Sequence, residues 1–309
     1  VAAKRPGARR AAGKEPDGGG GGQAASREPL ASALYVVATP VGNLQDITLR
    51  ALDVLRRCDV IASEDTRTTV KLLSRFDIHT PLVSYHQHSG GERARELVAR
   101  IRSGGSVALV SEAGTPGISD PGHELVRGCV EEGLPVVPVP GACALVAFLS
   151  AAGLNTSSFI FAGFPPRKPG ERLRFFQSLS SETRTVVFYE SPGRIRATLE
   201  AVAEALPGRR VCLGRELTKL HEEFIRGRVE EVLEVFRERR PRGEFVVGLE
   251  GAPVAGGGSA DLEQEYHLLV SQGMDDRAAV ALLARKSGRP RREVYAAVLQ
   301  WKGKRNDGS

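Results

Sequence analysis

The sequence predicts an α/β protein made of two sheet-bearing domains in succession, followed by a small helical one. Three observations carry this reading. Short apolar runs alternate with amphipathic stretches five times between residues 34 and 139. That rhythm belongs to a mostly parallel, helix-covered sheet with right-handed crossovers. From residue 159 the alternation resumes, but two runs stand side by side without a helix between them, so a mixed sheet is expected. Beyond residue 260 only helical periodicity is left.

The elements follow in order. Residues 1–33 hold the glycine run Gly18 to Gly22, many alanines and no large apolar side chain before Leu30. They bury too little to offset the entropy of ordering and are expected to form a disordered basic extension. The first domain, 34–152, is expected to carry strands at 34–38, 59–62, 81–84, 106–111 and 134–139. Its helices are expected near 46–57, between the second and third strands, near 91–102 and from about 121. Small and polar residues at 151–158 break the rhythm. The second domain, 153–251, is expected to hold strands at 159–164, 185–190, 211–217, 222–227 and 244–251, with helices near 170–180, 192–205 and 229–240. Residues 252–260, APVAGGGSA, read as a flexible linker. Three short helices with turns at Gly273 and Gly288 fill 261–302, resembling a helix-turn-helix bundle, and 303–309 forms a tail.

The net charge of +6 is unevenly spread: +3 in residues 1–33, +7 in 285–305 and −3 in 34–284. Basic ends favour a polyanionic partner through counterion release, and the last helices are the expected segment for binding it. No apolar run reaches the roughly 18 residues of a membrane span, and no charged-then-apolar leader opens the chain. Cys58, Cys129, Cys143 and Cys212 show neither CxxC nor zinc spacing. A cytoplasmic protein without membrane, disulfide framework or metal is expected.

Ligands of parallel sheets bind at the carboxyl ends of the strands, so the chemistry is sought in those loops. The first, Thr39-Pro40-Val41-Gly42-Asn43-Leu44, is not GxGxxG, and GxxxxGK[ST] is absent as well. A pyrophosphate cradle is therefore unsupported. The second loop, Ser63-Glu64-Asp65-Thr66-Arg67, offers adjacent carboxylates to orient a hydroxyl or act as a general base. Equally, Asp65 or Thr66 could cap the next helix. The third, Ser84-Tyr85-His86-Gln87-His88, reads as a polar substrate-facing loop rather than a metal site. The fourth runs from Ser111 to Gly122, where three glycines and two prolines fix a backbone path that a flat ligand could approach closely. Asp120-Pro121 is expected to open the following helix as N-cap and first helical residue. The fifth, Val139-Pro140-Gly141-Ala142-Cys143, would let a ligand lie against the backbone, with Cys143 a small buried apolar residue.

In this order the loops resemble the tetrapyrrole methylase superfamily and, within it, the ribosomal RNA small subunit methyltransferase I family. The resemblance is carried by ATPVGNLQDITLRAL (38–52), ASEDTR (62–67), SYHQH (84–88), SEAGTPGISDPG (111–122), VPGACA (139–144), FAGFPPRK (161–168), YESPGR (189–194) and RELTKLHEEFIRG (215–227). It spans about residues 34–302. It implies a non-Rossmann S-adenosylmethionine site in the cleft between two α/β domains. It further implies 2′-O-methylation of the ribose of cytidine 1402 in 16S rRNA, at the decoding centre of the 30S subunit, by a homodimer with a small C-terminal helical domain. Three positions depart from the patterns of these relatives. Relatives that act on tetrapyrroles carry Gly-Asp-Pro where this chain has Gly114-Thr115-Pro116, so an aspartate contact does not carry over. The family also shows Asp at Glu112 and a residue other than glycine at Gly193.

Methyl transfer from a sulfonium needs alignment more than bond polarisation, whereas the ribose hydroxyl needs a proton acceptor. Glu64, Asp65 and His86 are the expected catalytic groups. Pro40, Gly42, Ser111, Gly114, Thr115, Pro116, Gly117, Ile118, Gly141 and Ala142 are expected around the cofactor, completed from the second domain by Gly163 and Glu216. Arg67, Lys71, Arg167, Lys168 and Arg194 are the expected RNA contacts. The rival readings are a methyltransferase of the same fold acting on a tetrapyrrole or other small molecule, and a non-catalytic RNA-binding assembly factor. The basic tails and helical appendage speak against the first, the intact glycine-proline loop against the second.

Overall fold

A computed structural model describes residues 29–86, 90–253, 259–287 and 289–306. Most of the expected extension, His88, the middle of the expected linker, Gly288 and the last tail residues lie outside the described residues.

The first sheet comprises β1 (Leu34–Val37), β2 (Val60–Ser63), β3 (Leu82–Ser84), β4 (Val107–Val110) and β5 (Val136–Val139), in the order β3-β2-β4-β1-β5. Every neighbouring pair is parallel, with Val37 level with Val110 on one side and Val139 on the other. Four helices cross between the strands: α1 (Leu49–Arg57), α2 (Thr66–Arg75), α3 (Gly90–Arg102) and α4 (His123–Glu131). Successive side chains of a strand point to opposite faces, and each face has its own core. Tyr35 and Val37 pack with Leu52, Leu55 and Leu73 of α1 and α2. Leu34 and Leu109 pack with Leu97, Ile101 and Leu125 of α3 and α4. Coverage on both sides explains why β4, and β2 up to its last residue Ser63, are continuous apolar runs, with both strands buried at every position. Leu55 and Ile61 are fully buried, and each such side chain stabilises the fold by about 1.5–3 kcal/mol.

Two local expectations are corrected. Residues just before β1 belong to the body: Ala33 is buried, Leu30 packs against the core, and the Ser32 hydroxyl donates to Ile101 O (2.6 Å). Helix α4 opens at His123, with Gly122 at its N-cap, so Asp120-Pro121 does not start it. Gly122 has φ 142°, and a Cβ there would sit 2.9 Å from Leu109 Cδ2. The chain turns tightly against the sheet before the helix begins, which leaves Asp120 in the loop.

The second sheet is mixed: β6 (Phe159–Phe161), β7 (Thr185–Glu190), β8 (Arg210–Arg215), β9 (Glu223–Arg228) and β10 (Phe245–Leu249), in the order β6-β7-β10-β8-β9. Only β6 and β7 are parallel; the remaining pairs are antiparallel. On one face lie α6 (Pro169–Gln177), α7 (Ile195–Ala205) and α8 (Val229–Glu238), through Phe176, Leu199 and Phe236. The other face receives a helix the sequence reading did not anticipate, α5 (Ala144–Ala152), directly after β5. Its Phe148 is fully buried against β8 and β10. Gly214 and Gly248 make that approach sterically allowed, since a Cβ on either would lie 2.8 Å from the Phe148 ring. This helix docks the second sheet against the end of the first domain.

The C-terminal part, α9 (Ser259–Ser271), α10 (Asp276–Ser287) and α11 (Arg291–Asn306), has a core of its own around Tyr266, Leu283, Val298 and Trp301. The Tyr266 hydroxyl donates to Asp276 Oδ1 at 2.6 Å. Among the described residues, no helix is long and apolar enough to cross a membrane.

Candidate active site

The connections leaving β1 and β4 run to opposite sides of the sheet, which opens a crevice at their carboxyl ends. There the two loops lock together. Thr39 N donates to Gly114 O (2.8 Å), and Gly114 N returns a bond to Thr39 O (3.0 Å). Gly114 has φ 85°, open to glycine and strained for other residues. The Thr39 hydroxyl donates to Ser111 O, and the Ser111 hydroxyl donates to Gly114 O, both at 3.2 Å. Thr115 ties in the third loop by donating from Oγ1 to Ala142 O (3.0 Å). At Gly141 a Cβ would lie 2.9 Å from Ala38 Cβ, so this loop presses on the end of β1.

Between this cradle and the second sheet lies a cavity of about 430 Å³. Gly114, Thr115 and Ile118 line it from the first domain, Cys143 and Ala144 at the start of α5, and Tyr189, Leu217 and Val246 from the second. Tyr189 is pinned by Leu145 N, which donates to its hydroxyl (3.2 Å), and burial pushes that phenol up to about 12. Phe164 meets the Tyr189 ring edge-on at 5.8 Å and stays 54% exposed at the cavity. Ser119 on one loop and Glu216 and Thr218 on the facing one have positive φ. Such strained backbone gathers at functional sites.

The acidic groups divide by environment. Asp120 lines the cavity, and its pKa is pushed up to about 6, mainly by burial and then by the charge of Glu64. A hydrogen bond from Ser111 opposes this, and Glu112 adds to it. Burial foremost, then Glu112, also raises Glu64, while His86 pulls it down. Asp65 is the opposite case. It caps α2 by accepting from Arg67 N (2.8 Å) and holds the Arg67 guanidinium with both oxygens (3.1 and 2.9 Å). Arg67 thereby keeps the Asp65 carboxyl below its usual range, which suits a cap and not a proton acceptor. His86 is exposed and shares a 2.6 Å hydrogen bond with Ser84 Oγ.

Of the expected cofactor residues, Gly114, Thr115 and Ile118 line the cavity, and Ser111, Gly141 and Ala142 shape its cradle. Pro40 is buried behind Val41, and Pro116 and Gly117 lie on the loop behind the lining. Gly42 faces the second domain, where a Cβ would collide with Lys219 Cγ. Gly163 supports the wall by accepting from Tyr189 N (2.8 Å). Glu216 bonds Lys219 Nζ (2.9 Å) and accepts from Glu244 N (3.1 Å), bracing the loop beside the cavity. Lys71, Arg167 and Lys168 are exposed, with Lys168 paired to Glu171. Arg194 is held inward: its Nη2 donates to Pro165 O (2.6 Å), and its Nε lies 3.3 Å from fully buried Glu190. Glu190, which lines the cavity, also accepts from Ser191 N and Thr198 Oγ1. Asp120 and Glu190 were missed as site residues, although both lie within the quoted motifs. Among the described residues, no group of three or more His, Cys, Asp or Glu could hold a metal.

Comparison with known proteins agrees with this architecture. Residues 33–233 match the family model of tetrapyrrole (corrin/porphyrin) methylases. The chain is 45% identical over 271 residues to ribosomal RNA small subunit methyltransferase I of Synechocystis, covering 86% of this chain and 97% of that protein. It is 41% identical to the Bacillus subtilis protein of the same name, covering 85% and 93%. The Thermotoga maritima protein of that name is matched over 98% of its own length by only 71% of this chain, at 45% identity. Among solved structures, cobalt precorrin-4 methyltransferase aligns with TM-score 0.54 and 18% identity, over 71% of this chain and 95% of that one. Uroporphyrin-III C-methyltransferase from Thermus thermophilus, complexed with S-adenosyl homocysteine, aligns with TM-score 0.50 and 22% identity, over 71% and 97%.

Proposed function

The chain belongs to the ribosomal RNA small subunit methyltransferase I family, and from that membership we propose that it uses S-adenosylmethionine to methylate the ribose 2′-hydroxyl of cytidine 1402 in 16S rRNA. The observation that carries the chemistry is the interdomain cavity. In it a backbone cradle with no room for a Cβ at Gly141 faces an ionisable carboxylate and an exposed aromatic ring.

The residues present fit the methyl donor. The volume is that of a small-molecule site. Val41, Ile118 and Leu217 offer apolar surface, while Glu112 and Asp120 offer negative charge suited to a cation. When bound, S-adenosylmethionine supplies an electrophilic methyl group on a positively charged sulfonium.

Asp120 is the group best placed to accept the proton of the 2′-hydroxyl on a carboxylate oxygen. It lines the cavity, and a pKa of about 6 leaves it mostly ionised at neutral pH yet more basic than an ordinary aspartate. Glu64 supports it electrostatically, and His86 balances Glu64. On this reading Asp120 stands ahead of Glu64, Asp65 and His86 as the candidate for the base. Phe164 offers a face on which an unstacked base can rest.

The working form is a homodimer acting in the cytoplasm on the 30S subunit. Leu49 and Leu220, 86% and 93% exposed, supply apolar surface for a second copy to cover. The whole reading is tested by incubating the protein with tritiated S-adenosylmethionine and undermethylated 30S subunits, followed by nuclease mapping. Label on the ribose of one decoding-centre cytidine is expected. Cofactor binding without RNA labelling would move the search to small-molecule acceptors.

A further inference from the structure

Behind the methyl-transfer cavity lies a second, smaller concavity of about 140 Å³. The two share a wall. Phe245 faces the large cavity, Phe236 lines the small one, and their rings meet edge-on with centroids 5.8 Å apart. The small concavity is lined otherwise by Arg215, Glu223, Arg239, Arg240, Pro241 and Arg242. Four guanidinium groups thus surround one carboxylate, in a body that carries −3 over residues 34–284.

Glu223 is consumed within the cluster. It accepts from Arg239 Nη1 (2.7 Å) and Arg215 Nη1 (3.1 Å), and Arg239 above all holds its carboxyl below the usual range. Arg215 also donates from Nε to Arg242 O (2.8 Å), which pins the loop to β8. Arg240 and Arg242 are exposed, and among the described residues neither side chain has an ion pair or hydrogen bond. The cluster therefore holds two guanidinium groups in place and two uncommitted, a net charge of +3 around a concave surface. A rigid fork of donors is what phosphate oxygens accept best.

Position argues for the same ligand. Arg215 stands opposite Phe245 in the sheet, and the loop carrying Arg239, Arg240 and Arg242 runs straight into Glu244, Phe245 and Val246, which line the large cavity. We infer that this arginine-lined concavity is a phosphate subsite holding the RNA backbone beside the ribose presented to the cavity. The inference rests on the RNA reading of that cavity. It gives the acidic body its own anchor for the strand, apart from the basic helices at the C-terminal end. None of its residues was among the RNA contacts expected from the sequence.

The test is Arg240→Ala/Arg242→Ala in the full chain, beside Arg240→Lys/Arg242→Lys. Affinity for undermethylated 30S subunits is measured from 0.05 to 0.5 M salt, and S-adenosylmethionine affinity by calorimetry. Each single-strand phosphate contact contributes about 0.7 to the slope of log affinity against log salt. The alanine pair is expected to flatten the slope by about 1.4 and weaken binding about 25-fold at 0.1 M salt, taking the ionic contribution to vanish near 1 M. Cofactor affinity is expected to stay unchanged, and the lysine pair to restore most of the slope. A wild-type slope in the alanine pair overturns the subsite while leaving the methyltransferase reading intact. Failure of the wild-type protein to bind 30S subunits overturns both.

Discussion

Replacing Asp120 by Asn removes the one cavity-lining carboxylate whose pKa lies at about 6 and keeps its size. A base with that pKa is about 90% ionised at pH 7 and about 10% at pH 5. The wild-type single-turnover rate is therefore expected to fall about tenfold between those pH values, with the slope approaching one only below the pKa. An unperturbed aspartate would stay ionised throughout. The Asn variant is expected to lose this acid limb together with about 10²–10⁴ of the rate, or roughly 3–5 kcal/mol of transition-state stabilisation. Burial and the charge of Glu64 set the pKa, so Glu64→Gln is expected to move the limb to lower pH while retaining activity. The assay is tritium transfer to 30S subunits with enzyme in excess, from pH 5 to 8, with cofactor affinity measured alongside. A variant with the wild-type rate and an unchanged acid limb would refute the assignment.

The same perturbation carries a stability consequence. Asp120 binds its proton more tightly in the folded state, so its penalty is absent below about pH 4, grows through the window up to about pH 6, and is complete above it. Asp120→Asn is accordingly expected to be more stable than wild type at pH 8 and equal to it near pH 3.5, as read by urea unfolding. Arg194→Ala strands the fully buried Glu190 carboxylate and frees the Pro165–Pro166 turn, and is expected to cost about 3 kcal/mol in the same measurement at pH 7. Gly141→Val drives side-chain atoms into the end of β1, where even a Cβ would lie 2.9 Å from its neighbour, and shifts the carbonyl that Thr115 uses. Cofactor affinity is expected to fall by at least tenfold in calorimetry, with the thermal transition still cooperative. Removal of residues 254–309 is expected to weaken 30S binding and leave cofactor affinity unchanged.

The sequence alone determined the first sheet and the glycine-rich loops at its carboxyl edge. A parallel strand covered on both faces must be an apolar run, and a loop that presses on a strand end must do without side chains, so both leave marks in single stretches of chain. It did not reveal α5. That helix is apolar nearly all round, even at Val146, which is 60% exposed, so it carries no amphipathic period to detect. The tight turn that leaves Asp120 in the loop rather than at a helix N-cap depends on Gly122 packing against Leu109. Adjacency in sequence made Glu64 and Asp65 look equivalent. The fold separates them, giving Asp65 a cap and a guanidinium while placing Glu64 against Glu112 and Asp120 from another loop. Arg194 likewise reads as a surface cation until the fold turns it onto Glu190 and the Pro165 carbonyl. Burial and the charges across a cleft set proton affinity, and both are properties of residues brought together from distant parts of the chain. Composition and spacing therefore pointed to the loops at the strand ends, and only the packing of the two domains set their charges in different environments.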